Sequence, residues 1–229
     1  MVFLISVMIF LILSYNVIDA MNLKPTNYVK YKSIRNLFFN FYKNYVNIEQ
    51  SDHSLEHVVP QSLYKNESIL KRDLHNIILY PNKINLHRSN YKYISDLKIY
   101  PESKILDNIG NEIKYIEPIL DNDIYIKTNG QKSFYPACKY RGLIARSSMY
   151  FANVYPEYQE QIFKNVIDPY TLLMWHHEYP ISKFELNKNK FTYELQGNQN
   201  FYIIEPKLLV SDMENILGEN LNIYRNFKF

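Results

Sequence analysis

A mixed chain of helices and short strands, the α+β class, is what the sequence predicts, and three observations predict it. Aromatic and apolar residues recur at three- and four-residue spacings near residues 27–45; short β-prone runs, punctuated by proline and glycine, fill 51–135; helical periodicity returns from about residue 141. With 229 residues, 47% hydrophobic and 21% charged, the chain can bury one substantial core. Ordinary domain sizes then predict a single domain over residues 21–229.

The first stretch, "MVFLISVMIFLILSYNVIDA", has an apolar core from Val2 to Leu13, short of the about 20 residues a spanning helix needs. It fits the apolar region of a signal peptide, with Ala20 as a cleavage point, although no Lys or Arg precedes it and Ile18 is larger than the usual small residue. Residues 1–20 are therefore expected to be a leader that exports the chain, leaving no stable membrane span; an uncleaved anchor and initiation at Met21 are the alternatives. "NYVKYKSIRNLFFNFYKNY" follows as a helix with Ile34, Leu37, Phe38 and Phe41 inward. Val58-Val59 and Ile77-Ile78-Leu79 are β-prone, and a short helix is expected from about Asn82, after Pro81.

Residues 103–135, broken by Gly110 and Gly130, suit several short strands or a hairpin. "RGLIARSSMYFANVY" then reads as an amphipathic helix, and "DPYTLLMWHHEY" opens a helix with Asp168 as cap and Pro169 at its first position. Ser182 and Glu185 in "SKFE" form a capping box, and Gly197 is a natural stop.

A net charge of +3, from 26 basic and 23 acidic residues, requires that any nucleic-acid partner be held by a local patch. The single cysteine, Cys138, excludes both an intramolecular disulfide and a cysteine-built zinc site. Asn66-Glu67-Ser68 is a glycosylation sequon, relevant only in a eukaryotic secretory pathway. Phosphate-binding glycine loops, dinucleotide fingerprints and nucleophile elbows are missing from the sequence, which removes several enzyme classes.

Chemistry concentrates in two segments, "HSLEHVVPQS" with His53, Glu56 and His57, and "DLHNIILYPNKINLHRSN" with Asp73, His75, Asn76, Asn85, His87 and Arg88. A hard cation would suit the Glu56 carboxylate and the Asn85 amide oxygen, leaving His57 free to take a proton from water. Glu56 and His57 are adjacent, and neighbours in a strand point to opposite faces, so one site can use both only at a strand end or bend. A zinc site from His53 and His57 with His75 or His87 is the metal alternative. A hydrogen-bonded structural role for any one histidine is the plainer reading.

These residues resemble a known family, endonuclease I, the periplasmic and secreted bacterial nucleases of the His-Me finger (ββα-metal) type. The resemblance rests on "EHVVP" at 56–60, "DLHN" at 73–76, "NLHRSN" at 85–90, "RGLIAR" at 141–146, Trp175, "YP" at 179–180 and "QGNQN" at 196–200, in the family's order. It implies an α+β fold built around a small metal finger, and metal-dependent, largely sequence-nonspecific hydrolysis of DNA, with RNA a second candidate substrate, to 5′-phosphate products. It implies His57 as general base, Glu56 and Asn85 as metal ligands, and magnesium as the ion, with manganese or calcium as other occupants. Asp73, His75, Asn76, Arg88 and Arg141 are then supporting residues. Arg146 is placed with His57 in the catalytic set, with Arg72 and Arg88 as rival phosphate contacts; of Arg141 and Arg146, one would brace the site and the other touch phosphate.

Where the family commonly carries several disulfides and a longer insertion after EHVVP, this chain has one cysteine and the short segment 61–72; where its last block often ends in Asn-Pro, this chain reads "QNFY", taken as drift at a helix end. A monomeric secreted endonuclease is the expectation. The rivals are a catalytically silent nucleic-acid binder on the same scaffold and a sequence-specific nuclease, the latter disfavoured because no added DNA-reading module is evident.

Overall fold

A computed structural model describes residues 24–46, 48–65, 68–95, 104–106, 124–128 and 131–218. The leader, the sequon asparagine, Gly110 and Gly130 lie outside the described residues.

Helix α1 (Tyr31–Tyr42) buries Ile34, Phe38, Phe41 and Tyr42, a stripe at helical spacing; Leu37 is only half-buried, and Tyr42 takes the place expected of it. Strand β1 (His53–His57) pairs antiparallel with β2 (Ile77–Pro81), with His53 opposite Pro81 and His57 opposite Ile77. Val58 and Val59, β-prone in sequence, follow β1 rather than forming part of it and are fully buried. They leave the ladder because Pro60 and the following 3₁₀ turn (Gln61–Tyr64) carry the chain away. Helix α2 (Asn82–Arg88) starts directly after β2 and stops at Ser89, whose φ is 54°. Two antiparallel strands and one short helix thus form the finger unit.

A second sheet has the order β3 (Lys92–Tyr93), β6 (Gln131–Tyr135), β5 (Ile124–Thr128), β4 (Lys104–Leu106); β5 and β6 are the expected hairpin, and β3 joins β6 in parallel. The rest of the described chain is helical: α3 (Cys138–Val154), α4 (Gln159–Asn165), α5 (Pro169–Glu178), α6 (Lys183–Gln196), α7 (Phe201–Ile204) and α8 (Lys207–Leu217). The class is α+β.

Helix α3 differs from expectation. It is buried from Arg141 through Ala152 rather than along one face, because it packs against α5, α7 and the 3₁₀ turn at Leu74–Asn76. Its buried arginines find partners outside the helix: Arg141 donates to the Pro136 carbonyl at 2.8 Å and the Tyr179 hydroxyl at 2.5 Å.

Local signals for the later helices match the fold. The Asp168 side chain accepts from the Thr171 amide at 2.9 Å, Ser182 and Glu185 form a capping box, and Gly197 ends α6 at φ 79°. Asn200, read as drift at a helix end, instead caps the start of α7, accepting from the Tyr202 amide.

One apolar cluster, centred on Ile144, Met149, Phe151, Leu172 and Trp175, joins the helical part to the inner faces of both sheets. A second gathers Ile34, Phe38, Phe41 and Tyr42 of α1 with Leu74, Ile77 and Leu79, seating α1 against β2. The finger is held between them.

Candidate active site

Glu56 and His57 are the last two residues of β1, the strand end that adjacent residues need to share a site. Both side chains line a cleft of about 340 Å³ with Asn85, Arg88, Gln61, Ser62 and Asn90. Asn85 reaches it because α2 turns back over β1, its amide nitrogen donating to the Ser54 hydroxyl at 2.9 Å and the Leu55 carbonyl at 3.1 Å. With both amide hydrogens so used, Oδ1 is its remaining donor atom.

Arg88 ties the finger together. Its guanidinium donates to Glu56 Oε1 at 2.5 Å and to the carbonyls of His57 at 3.1 Å and Val58 at 2.9 Å, and it lies over the Tyr93 ring at 4.5 Å. Burial pushes the Glu56 carboxyl up to about 7, against the pull of Arg88.

The His57 tautomer follows from its partners. Nε2 lies 3.0 Å from the Lys71 carbonyl, which can only accept, so Nε2 carries the proton. Nδ1 then holds a lone pair, to which the Gln61 amide nitrogen donates at 3.0 Å. Burial pushes His57 down to about 4, the Lys71 carbonyl opposing and the charges of Arg88 and Lys71 adding to the fall. The ring is therefore neutral at physiological pH, with Nδ1, next to Gln61, as its accepting nitrogen.

An oxygen-donor pair of one carboxylate and one amide suits a hard divalent cation that fills its other positions with water and phosphate. Among the described residues no group of three His, Cys, Asp or Glu side chains is spaced to hold a metal. The zinc alternative is not assembled: His57 and His75 each give a ring nitrogen to a carbonyl, Lys71 and Asn198 respectively, and His53 contacts the Glu49 carbonyl.

The supporting residues sit behind the cleft. Asn76 bonds Val59 through its Oδ1 at 2.8 Å and its Nδ2 at 3.0 Å, pinning the turn after the strand. Asp73, fully buried, accepts from the His75 amide, the Tyr150 and Tyr155 hydroxyls and the Gln196 amide; burial raises its carboxyl above the ordinary value despite these bonds.

Arg146 does not share the cleft. Its guanidinium makes a bidentate pair with Glu185 at 2.8 Å to each oxygen, with a further bond to the Tyr179 carbonyl at 3.1 Å. Arg141 is likewise buried beneath the Tyr135 and Tyr179 rings. Both arginines brace helices. Sequence reasoning missed Gln61 and Tyr31, whose hydroxyl accepts from the same Gln61 nitrogen at 3.4 Å; an i, i+4 step from His57 to Gln61 was the available signal.

The sequence profile of endonuclease I matches residues 15–207. The chain belongs to the endonuclease I family. It is an endonuclease, and nucleic acid is its substrate class. The search of curated proteins returned no match. Endonuclease I enzymes depend on divalent metal ions, in keeping with the oxygen pair on the finger. Among the described residues no helix is long and apolar enough to cross a membrane.

Proposed function

We propose that this endonuclease I cleaves DNA, with RNA as a second substrate, without regard to sequence, through His57 as general base and a divalent cation, magnesium, on Glu56 and Asn85. The convergence of these three side chains on one cleft carries the reading. When bound, the cation neutralises charge on the phosphate and on the departing 3′ oxygen. His57 Nδ1 accepts a proton from a water molecule, and the water oxygen bonds to phosphorus in line with the bond to O3′. That bond breaks, its electron pair stays on O3′, which takes a proton from solvent, and the phosphate remains on the 5′ end. The Lys71 carbonyl keeps Nδ1 as the accepting nitrogen, where this water would take the place of the Gln61 amide, and it steadies the imidazolium that forms. Arg88 keeps Glu56 and the carbonyls of the strand end in register.

Residues 1–20 direct the chain out of the cytoplasm, and the single domain acts as a monomer. Incubation with supercoiled plasmid in magnesium and in EDTA tests the chemistry. Nicking in magnesium alone, with ends that ligate without prior phosphorylation, is expected; cleavage in EDTA, or 3′-phosphate ends, would overturn the mechanism.

A further inference from the structure

Helix α1 places beside the cleft, against His57 and Gln61, a residue that the hydrolytic reading does not use. Tyr31 lies nearly parallel to the His57 ring, at 22° with centroids 6.2 Å apart, and its hydroxyl shares the Gln61 amide nitrogen with His57 Nδ1. A single amide group thus bridges the Tyr31 hydroxyl and the nitrogen assigned as the base. The Tyr31 ring is 44% exposed, although α1 buries Phe38, Phe41 and Tyr42 and partly buries Phe39.

The flank around this ring is one-sided in charge. From Met21 to Ile48 the sequence has Lys24, Lys30, Lys32, Arg35 and Lys43 and neither Asp nor Glu, in a protein whose net charge is only +3. Lys30 and Lys32 adjoin Tyr31 and are exposed. Tyr28, three residues earlier and outside the helix, has the Arg72 guanidinium over its ring at 5.3 Å. Interleaved aromatic and basic residues beside a phosphate-cleaving cleft match a strand whose bases stack while its backbone is neutralised.

We propose that Tyr31, flanked by Lys30 and Lys32, is a subsite for an unpaired nucleotide next to the scissile phosphate, so that the enzyme prefers single-stranded nucleic acid. The inference rests on the assignment of His57 as base, which fixes where that phosphate lies. Bases in a duplex already stack on each other and cannot offer a face to a side chain; an unpaired base can. Tyr31 acts through its ring and contacts substrate, whereas Gln61 positions His57.

Equilibrium binding of fluorescent oligonucleotides to the full chain in EDTA, single-stranded against duplex of equal length, tests this independently of catalysis. Tyr31→Ala is expected to weaken single-strand binding about tenfold, the scale of one lost base stack, with much less change for duplex. Tyr31→Phe should bind within about twofold of wild type, since the ring remains. Lys30→Gln with Lys32→Gln should flatten the salt dependence of single-strand binding. An equal loss on both substrates, no loss, or a Phe variant as weak as the Ala variant would overturn the proposal; a thermal melt of each variant confirms folding. Should wild type bind as expected but cleave neither single-stranded oligonucleotide nor plasmid in magnesium, the hydrolytic assignment fails instead.

Discussion

Arg88 brings one guanidinium to a carboxylate and to two carbonyls of the strand end. Its side chain is almost wholly buried with that of Glu56, so removal leaves a carboxylate without its counter-charge in a desolvated site. Arg88→Met should lower stability by about 3 kcal/mol at pH 8, the usual scale for breaking a buried pair from one side. The loss should shrink at pH 5, where an unpaired Glu56 binds a proton and no longer needs a partner. Urea unfolding at the two pH values checks this, and an equal loss at both would show that packing, not charge, is what Arg88 supplies. Sequence alone placed Glu56, His57, Asn85 and Arg88 in two segments, and the cleft unites them. The assignment of phosphate contact to Arg141 or Arg146 was not legible, because the partners that bury those guanidiniums, Glu185, Tyr179 and Pro136, lie in other segments.

Elements bounded by local chemistry were readable. Asp168 before Pro169, Ser182 before Glu185, and Gly197 after α6 each act within a few residues, and α2 follows Pro81 as expected. Helix α3 was misread for the converse reason. Arg141, Arg146, Ser147 and Ser148 are polar, as an amphipathic helix's exposed residues would be, yet all are buried, because neighbours cover the helix on every side. Gly142 shows how closely they approach: a Cβ there would meet the Arg146 guanidinium and the Tyr179 carbonyl. Strand β1 ends immediately before the β-prone Val58-Val59 pair, since Asn76 captures the Val59 amide and carbonyl in place of a ladder partner. That side-chain substitution for sheet pairing has no signature in local propensity.

At the scale of the whole molecule, the finger is tied to the C-terminal helices through buried polar groups. Gln196 bonds Asp73 and the Leu74 amide, Lys188 bonds the Leu74 carbonyl, and His75 bonds the Asn198 carbonyl. The "QGNQN" block therefore serves as the strut under the ββα unit, a role that its sequence resemblance alone did not state. Burial pushes His57 and His176 down to about 4 and His75 to about 3. Each binds its proton on unfolding once the pH is below about 6.5, so their contribution is complete above that value and declines as pH falls toward the folded-state values. Glu56 and Asp73, whose carboxyls are raised, oppose this in part. His75→Gln retains a donor for the Asn198 carbonyl and removes one titrating group. It should make the acid decline of stability shallower by up to about 1.4 kcal/mol per pH unit, measured by urea midpoints from pH 7 to 4. An unchanged slope would mean that His75 is already charged in the folded protein.

The central claim is that His57 moves the proton while Glu56 and Asn85 hold the cation. A magnesium titration of plasmid cleavage by wild type, His57→Ala and Asn85→Ala tests it most directly. The account predicts a rate at least about 100-fold lower for His57→Ala with an unmoved magnesium midpoint, and a midpoint shifted to higher magnesium for Asn85→Ala. Cleavage by His57→Ala at the wild-type rate would contradict it.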